Sequence, residues 1–449
     1  MTPPWLPSRR RWLAAVSLVG SLGTLLVTGQ ARGQTPPHSI SLEEALTRAL
    51  ETNPVLGQAA AGVARAEAEK RLAFSAVMPR LSLEGRTSLN SEEVAFGEGE
   101  NRRTILTDTD WTARLVLSQP VFAGFRDVYT YRQTKLDVAG AGETARGTRE
   151  ALLFEVAASY WSALEAEELA AVERQNRELA LKRLELAKSF VAAGEATRLD
   201  ELRAESAVKA AERRIVEAEQ GRIEAISRLR VATGLEGDLD VVEPRSALPP
   251  LPAEAELLRS ALDGSPEVRR AQLALESAGY EVKKARGTYL PIVRLEAAAI
   301  EQKSQFPSDS YQQVSLEASI PLFESGETRA RLAIARERER QARLMLEDAQ
   351  RRVREQLAIR RAGLGTAVQA RELARQQLAV AEAEHEQVLA LYQAQEATSL
   401  DLDAAELGLA AARRDVVSAG IRVTLAELAL RWAASQLAPS LLPGASPQP

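Results

Sequence analysis

The chain has 449 residues, of which 27% are charged and 45% hydrophobic, and its net charge is −5. This composition excludes a disordered chain and a polytopic helical membrane protein, and the acidic balance lacks the basic excess that nucleic-acid binding needs. The absence of cysteine excludes disulfides and thiolate sites, and two histidines leave little material for a metal centre or a catalytic base. No cofactor and no nucleic-acid partner is therefore expected.

Residues 1–33 have the pattern of a secretory signal peptide. Three arginines at 9–11 precede an uncharged apolar run that ends at Val27. Ala31 and Gly33 are small residues at the −3 and −1 positions of a cleavage site before Gln34. The alternative is a membrane anchor, but the apolar run is short for a spanning helix. An exported mature chain is expected.

The rest of the chain repeats one pattern twice. Asn53-Pro54 and Ser265-Pro266 stand in similar segments at an offset of 212, and Pro120 and Pro321 stand in similar motifs at an offset of 201. Constant offsets on both sides of one deletion indicate an internal duplication. The expected domains are a first repeat at 34–234, a linker at 235–252, a second repeat at 253–437 and a disordered tail at 438–449.

Each copy begins with one long helix, expected at 41–77 and at 253–289 and ended by Pro79 or Pro291. Two strands follow, with alternation over 81–89 and 111–119 in the first copy and matching segments in the second. Their apolar faces include Leu115, Leu117, Leu295 and Leu316. Such alternation is typical of half-buried or transmembrane strands. A soluble hairpin is the alternative, but an isolated hairpin is marginal in water.

Two very long helices come next, expected at about 125–190 and 327–392, each followed by a turn and a shorter return helix. Apolar residues recur at three- and four-residue spacing, which is typical of antiparallel coiled-coil hairpins. Because the return helices are shorter, the remaining length has to be matched by the first helix of each copy.

This order of elements resembles the TolC family of outer-membrane efflux proteins. The Gln-Pro-Val-Phe-Ala-Gly run from Gln119 and the Ile-Pro-Leu-Phe-Glu-Ser-Gly run from Ile320 match the family's junction between strand and long helix. The Ala-Gly-Glu-Ala-Thr-Arg-Leu-Asp run from Ala193 resembles its hairpin tip, and 392–401 is the second copy of it. The resemblance covers about 41–436, and the order of the motifs is more specific than any one of them.

The resemblance implies a mainly α fold with a β-barrel part. Four strands per chain cannot close a barrel, for which about eight are needed. A homotrimer would supply twelve strands in a barrel crossing outer-membrane lipid, continued by a periplasmic α-helical barrel. The expected function is the exit duct of a tripartite efflux pump or a type I secretion system, with an adaptor and an inner-membrane transporter as partners. The loops at 90–110 and 301–310 are expected outside the cell.

The resemblance also implies functional positions at the two hairpin tips. The residues expected to dock on an adaptor are Gly194, Glu195, Ala196, Thr197, Glu396, Ala397 and Thr398. Gly194 has an alternative interpretation as an ordinary helix cap. Gln395 stands where the family often has glycine, which leaves the geometry of the second turn open.

Four residues match the family's closed periplasmic aperture. Asp401 falls at the position of an acidic ring, with Asp403 two residues on. A ring of carboxylates favours cations, whereas an acid at a helix N-terminus can also simply stabilise the helix dipole. Asp200 and Tyr392 match positions that link neighbouring hairpins. The family's basic partner falls at Ala397, so the closing network has to differ; Arg198 is the candidate replacement, with an ordinary surface charge as the alternative.

Other motifs have weaker functional interpretations. The Glu-x-x-His spacing that ends at His385 has no second copy, so a di-iron bundle is not indicated and a solvated face is expected. Gly97 and Gly99 lack the third glycine and the helix of a dinucleotide loop. A periplasmic adaptor or coiled-coil scaffold without a pore is the alternative function. It is disfavoured because a typical adaptor has one hairpin, and an enzyme is a distant third.

Overall fold

The structure is a computed structural model that describes residues 38–99, 102–235, 237, 239–244, 249–304 and 308–442. The expected signal peptide at 1–33 lies outside the described residues. In chain order the described elements are β1 (His38–Ile40), α1 (Leu42–Thr52), α2 (Pro54–Ser75), β2 (Arg80–Leu89), β3 (Val94–Phe96), β4 (Arg103–Leu106), β5 (Thr109–Ala123), α3 (Arg126–Ala193), α4 (Arg198–Thr233), β6 (Leu239–Val241), α5 (Glu254–Gly264), α6 (Pro266–Gly287), β7 (Ile292–Gln302), β8 (Ser310–Ser319), α7 (Glu327–Gln393), α8 (Ser399–Ala433) and α9 (Leu437–Leu441).

The first helix of each copy is broken in two, so the expectation of one continuous helix at 41–77 and at 253–289 is wrong. Asn53 and Ser265, the residues before the two prolines, have extended ψ angles of 122° and 121°. A residue before proline is disfavoured in the α conformation, and proline has no N–H to continue the helical hydrogen bonds. Asn53 and Ser265 then cap the following helices through their side chains.

The return helix α4 meets the start of α2 end to end. The Asn53 side chain donates a 3.0 Å hydrogen bond to the carbonyl oxygen of Ala232, near the end of α4, while its oxygen accepts from the N–H of Val55 in α2. Thr52 donates a 2.9 Å bond to the carbonyl of Thr233. One residue therefore caps two helices, and α2 supplies the length that α4 lacks, as the helix lengths predicted.

A four-stranded antiparallel sheet has the order β2-β5-β7-β8. The central pair joins the two copies, with Leu115 of β5 opposite Ala299 of β7. The long strand β5 contains a register shift between Pro120 and Phe122, where proline cannot donate a ladder hydrogen bond. Within the described residues, β2 and β8 each have one neighbour in this sheet, which leaves both of its edges open.

The long helices form two hairpins that lie side by side. α3 packs along α4 and α7 along α8, while α3 also contacts α8, so the order across the hairpins is α4-α3-α8-α7. Towards the sheet, α2 and α6 replace α4 and α8, giving the order α2-α3-α6-α7.

None of the helices that the structure describes is long and apolar enough to cross a membrane.

The main hydrophobic core lies where the hairpins meet the first helices. Strand β1 pairs in parallel with β6, and this two-stranded sheet packs on α3. Tyr160 is fully buried there and donates a 2.9 Å hydrogen bond to the carbonyl of Ile40, while it accepts one from the N–H of Val242. Leu46, Leu229 and Leu428 complete the core from three helices.

Five short elements of the described structure were not predicted from the sequence. The strands β1 and β6 form the small parallel sheet, and β6 lies inside the segment expected to be a linker. Strands β3 and β4 form a hairpin inside the first strand-strand loop. Helix α9 covers the beginning of the segment expected to be a disordered tail, so that expectation is wrong for 438–441. Residues 443–449 of this segment lie outside the described residues.

Candidate functional site

The two hairpin tips have the same backbone turn although their sequences differ. Gly194 ends α3 with a φ of 78°, and Gln395 follows α7 with a φ of 63°. The left-handed conformation is open to glycine at no cost, whereas another residue is strained there. Behind both turns, the N–H of the next residue, Glu195 or Glu396, donates a 2.8 Å bond to a carbonyl of the preceding helix. Gln395 therefore reproduces the turn that glycine makes in the first copy.

Each return helix begins with a capping box. The Thr197 hydroxyl donates a 2.7 Å hydrogen bond to the Asp200 carboxylate, which also accepts from the Thr197 N–H at 3.1 Å. Thr398 and Asp401 repeat this arrangement at the second tip. The hydrogen bonds from Thr398 hold the pKa of Asp401 below its usual value. Asp401 is thus a capping residue with an exposed, ionised carboxylate, so its membership of an acidic ring stays a prediction.

The expected docking residues lie together at the end of the molecule. Gly194, Glu195 and Thr197 are exposed at the first tip and Ala196 is half-buried, and the second tip has the same pattern at Glu396, Ala397 and Thr398. The Gln395 side chain donates a 2.8 Å hydrogen bond to the Glu195 carboxylate. The two tips therefore stand at the same height and form one continuous surface, and its role in docking remains a prediction.

Asp200 connects the two hairpins through Ser399. The Ser399 hydroxyl donates a 2.6 Å hydrogen bond to Asp200, and Arg203 donates to the same hydroxyl at 3.3 Å. The hydrogen bond from Ser399, and after it those from Thr197, lower the pKa of Asp200. The sequence suggested Asp200 for such a link but did not identify Ser399, which is buried one residue after the Thr398 cap.

Tyr392 lies in the same region but contacts a different partner. Its ring packs at 5.7 Å against Phe190 of the first hairpin, and the residue is 7% exposed. Burial raises the pKa of the Tyr392 hydroxyl; the charge of Arg183 opposes the shift, and that of Asp200 adds to it. The structure therefore brings Asp200 and Tyr392 into one cluster.

The centre of this cluster is Arg183, which sequence reasoning missed. Its side chain is 2% exposed and forms an ion pair with Asp403 and a 3.2 Å pair with Glu406, and it donates at 3.2 Å to the carbonyl of Ser399. Burial raises the pKa of the Glu406 carboxyl, and the charge of Arg183 opposes this shift. Arg183 follows Ala180 at a three-residue spacing on the buried face of α3. Its position on the buried face of α3 was the signal in the sequence that could have identified a buried charge.

Asp403 is the partner of Arg183 and joins α8 to α3. Its side chain is 27% exposed, so one carboxylate binds a buried cation and still reaches the surface. Arg198, the candidate basic partner from the sequence, pairs instead with Glu201 in its own helix and is 66% exposed. The geometry matches the alternative interpretation of Arg198 as a surface charge. The buried arginine that links the hairpins near the tips is Arg183 of α3.

A second buried charge lies further from the tips. The Glu173 side chain is 5% exposed, and its oxygens lie 3.5 Å from Arg214 of α4 and 3.2 Å from Arg414 of α8. Like Arg183, Glu173 joins the first hairpin to α8. Buried charges are stable only when they are paired, so these two clusters fix the hairpins against each other.

One face of the four-stranded sheet is apolar, and the other carries ion pairs beside a small apolar cluster of Val116, Ala298 and Ile300. The leucines expected to face lipid lie on one face and are 46%, 44%, 39% and 67% exposed at Leu115, Leu117, Leu295 and Leu316. On the opposite face Arg114 pairs with Glu84 at 3.7 Å and with Glu296 at 3.2 Å. An exposed apolar face opposite a charged one is typical of strands between lipid and a water-filled lumen, and lipid contact stays a prediction.

No group of three or more His, Asp or Glu side chains in the described part of the chain could hold a metal ion. His385 is half-buried in α7, and burial lowers its pKa, with the charge of Arg413 adding to the shift. The nearby Glu382, Glu384 and Glu386 do not gather around it into such a group.

Several known proteins are similar to the chain in sequence or in fold. The chain is 26% identical over 433 residues to the outer membrane efflux protein BepC of Brucella suis, covering 93% of this chain and 88% of BepC. It is 28% identical over 328 residues to the alkaline protease secretion protein AprF of Pseudomonas aeruginosa, covering 69% and 66%. The crystal structure of CusC superposes with a TM-score of 0.77 at 20% identity, covering 88% of this chain and 91% of CusC.

The match to a whole family covers both copies of the repeat. The family described as outer membrane efflux protein matches residues 45–235 and 257–435. These two segments contain the strands of the four-stranded sheet, both hairpins and both tips. The chain belongs to the outer membrane efflux protein family.

Proposed function

We propose that the chain is the outer-membrane exit duct of a tripartite efflux pump or a type I secretion system. The observation that carries the proposal is the four-stranded sheet, which has one apolar face, one charged face and two open edges. An open edge presents unpaired N–H and C=O groups, which lipid cannot satisfy. The sheet can therefore lie in a membrane only if other strands cover both edges.

A ring of identical subunits covers these edges without a second kind of chain. The edge strands β2 and β8 run in opposite directions, because each neighbour in the order β2-β5-β7-β8 is antiparallel to the last. β8 of one copy can therefore pair antiparallel with β2 of the next. Heterologous contacts of this kind form a ring when the rotation between copies closes, and the proposal includes this closure. Three copies give twelve strands, enough for a lumen.

The helices continue the lumen away from the membrane. α3 has 68 residues and α7 has 67, which corresponds to about 100 Å at 1.5 Å per residue. α4 continues into α2 through the hydrogen bond between Asn53 and Ala232, and α6 takes the place of α8 towards the sheet. Four helical columns per chain therefore run this length: α3, α7, α4 with α2, and α8 with α6. A periplasmic adaptor without a pore lies in water, where a sheet with an exposed apolar face would be unfavourable. The duct is a passive conduit, so the proposal includes no enzymatic step.

The partners follow from the two ends of the duct. In the proposal, residues 1–33 are removed on export, and the two repeats at 34–234 and 253–437 form the mature chain around the 235–252 linker. The joined tips at Glu195 and Gln395 dock on a periplasmic adaptor, which connects the duct to an inner-membrane transporter. The relatives named for efflux and for secretion support both kinds of system.

The experiment is purification from outer membranes followed by reconstitution. The chain is expected in the outer-membrane fraction as a trimer that separates on heating, and it is expected to form ion-conducting pores in planar bilayers. A monomer in the soluble periplasmic fraction would refute the duct and favour the scaffold. A trimer without conductance would separate assembly from channel function.

A further inference from the structure

We propose that each chain binds the head group of an anionic phospholipid between α3 and α6, just below the four-stranded sheet. The binding residues are Tyr129, Arg132, Tyr280 and Lys283. The inference rests on the proposed duct, because only a sheet that lies in a membrane brings lipid head groups to this part of the helices. It adds a ligand and its binding residues to that function.

The two tyrosines form a stacked pair that positions one cation from each helix. The ring centroids of Tyr129 in α3 and Tyr280 in α6 are 6.0 Å apart. The Lys283 ammonium lies 4.9 Å from the centroid of the Tyr280 ring, and the guanidinium carbon of Arg132 lies 5.8 Å from it. Both distances are within the range of cation–π interactions. The Tyr280 ring therefore brings an arginine and a lysine to the same place.

Both cations keep their hydrogen-bond donors for a ligand. Their side chains are exposed, and within the described residues no carboxylate pairs with Arg132 or Lys283. Glu276 lies one turn from Tyr280 on α6, but further from the sheet. Phosphate oxygens accept hydrogen bonds from guanidinium and ammonium groups, and these charge-assisted bonds are the strong ones. A phosphate group therefore fits the space beside the tyrosine pair.

A series of aromatic contacts connects the tyrosine pair to the apolar face of the sheet. Phe122 in β5 lies opposite Val293, which is two residues from Leu295 and so on the same face. The Phe122 ring packs edge-on against Phe125 at 5.1 Å. Tyr129 follows Phe125 by one helical turn, and its N–H donates to the Phe125 carbonyl at 3.0 Å. The pair therefore lies below the face that is proposed to meet lipid.

The distance from the sheet suits the head-group layer of a bilayer. Tyr129 lies three residues after the start of α3 at Arg126, and Tyr280 lies seven residues before the end of α6 at Gly287. At 1.5 Å per residue these are about 5 Å and 10 Å. The head-group layer is about 5–8 Å thick on each side of the hydrocarbon core. Tyrosine is enriched in this layer, because its ring is apolar and its hydroxyl is polar.

The charge of the helix ends favours an anionic head group over a neutral one. The ten residues nearest the sheet in each of α2, α3, α6 and α7 together include 11 basic and 5 acidic residues. The ten residues nearest the tips in each of α3, α4, α7 and α8 include 3 basic and 9 acidic residues. Anionic lipids attract basic segments that lie next to a membrane. The chain is acidic overall, so its basic residues are concentrated where a lipid surface would be.

The site is complete within one chain. α3 and α6 are the inner members of the order α2-α3-α6-α7, so a neighbouring copy in the proposed ring would meet α2 or α7 and leave this pair open. Each chain of the ring therefore carries its own site, and the bound head groups anchor the helices to the periplasmic leaflet.

The test is native mass spectrometry of the purified trimer with added lipid. Phosphatidylglycerol is the anionic probe, and phosphatidylcholine with the same acyl chains is the neutral comparison. The parent is expected to retain phosphatidylglycerol preferentially, with one tightly bound lipid per chain. Arg132→Gln with Lys283→Gln is expected to lower this preference at least about tenfold, because each cation near an anionic lipid surface contributes about fivefold in binding.

Two further comparisons separate the site from the general charge of this end. Arg329→Gln with Arg336→Gln removes two exposed cations of α7 at a similar distance from the sheet, and it should lower the preference much less. Tyr280→Leu removes the ring that positions both cations and should lower the preference without changing any charge. Tyr280→Phe keeps this ring and should retain most of the preference.

Each other outcome overturns a stated part of the inference. An equal loss of preference in the α7 variant would show a diffuse attraction and refute the site. If glycerol phosphate, which has no acyl chains, displaces the lipid at equal concentration, the site binds a soluble phosphate and the assignment to lipid is wrong. A trimer that conducts but retains both lipids equally would refute the lipid site and leave the proposed duct intact. A chain that purifies as a soluble monomer would refute the duct, and the lipid site with it.

Discussion

Arg183 is the residue on which the geometry near the tips depends most. It is buried between the hairpins, and its two carboxylate partners come from α8. In Arg183→Gln, Asp403 and Glu406 would lose their counter-charge and repel each other. Breaking a fully buried ion pair lowers the free energy of unfolding by about 3–5 kcal/mol. The expected decrease is smaller for Arg183→Gln, because Asp403 is partly exposed.

The expected result for Arg183→Gln is a channel that is more often open, measured as a higher open probability in single-channel recordings from bilayers. The matched control is Arg174→Gln, nine residues earlier on α3. Arg174 is 48% exposed, and among the described residues its ion pairs, with Glu167 and Glu219, lie within the first hairpin. If both variants conduct like the parent, Arg183 is a packing residue and the aperture is closed elsewhere.

Asp401 has two possible roles that substitution can separate. As a ring residue it would attract cations, and as a capping residue it accepts hydrogen bonds from Thr398. Asp401→Asn removes the charge and keeps an oxygen for the cap, whereas Asp401→Ala removes both. We expect both variants to weaken block by trivalent cations from the periplasmic side, while only the alanine variant loosens the start of α8.

The pH dependence of this block follows from the same hydrogen bonds. Because the pKa of Asp401 is lowered in the folded chain, the carboxylate stays charged as pH falls to about 4, where a free aspartate titrates. Its contribution to stability is likewise present above the unfolded pKa and lost as pH falls through the folded one. Block should therefore be constant from pH 7 to about 5. Asp415→Asn, further along α8, is the control that should leave block unchanged.

At the residue scale the sequence predicted positions better than partners. Asp200, Tyr392 and Asp403 do lie in one cluster, because the tip motif fixes their places on the helices. Arg183 is 220 positions from Asp403 and Ser399 is 199 positions from Asp200, and no local pattern connects residues so far apart. Arg198 was the nearest cation in sequence, but its nearest acid is on its own helix.

Among the elements, the strands give the clearest separation of faces. Leu115→Arg or Leu316→Arg would put a charge on the apolar face, at a cost of about 2–4 kcal/mol at the bilayer midplane. Both variants are expected to reduce the amount of assembled trimer in outer membranes. Ser315→Arg is the matched control on the neighbouring position of β8, where the side chain lies on the face of Glu296. Equal loss of trimer in all three variants would contradict the assigned faces.

The predictability of each element depended on how local its signal is. The four strands and the hairpin helices were predicted because alternation and three- to four-residue spacing are read within one segment. The break at Pro54 and Pro266 was missed, although the same rule was applied at Pro79. Strands β1 and β6 have three residues each and form only because α3 brings them together around Tyr160.

At the scale of the whole molecule, the orientation of the chain in the outer membrane can be tested. The loops at the far end of the sheet from the long helices should lie outside the cell. Cysteine at Glu98 or Ser308 is therefore expected to react with a membrane-impermeant thiol reagent on intact cells. Glu195→Cys at the tip is the control, which should react only after the outer membrane is permeabilised. Labelling of the tip alone would invert the orientation.

The pairing of β5 with β7 has a consequence for the order in which the chain can fold. β2 and β5 are complete when the first repeat has been exported, but alone they are an isolated hairpin, which is marginal in water. Their partner β7 lies in the second repeat, with Thr112 opposite Gln302. The hydrogen bond from Asn53 likewise needs the carbonyl of Ala232, which lies 179 residues later in the chain. Contacts this distant in sequence form slowly, so insertion into the outer membrane follows export of the whole chain, and the apolar strands need protection from aggregation until then.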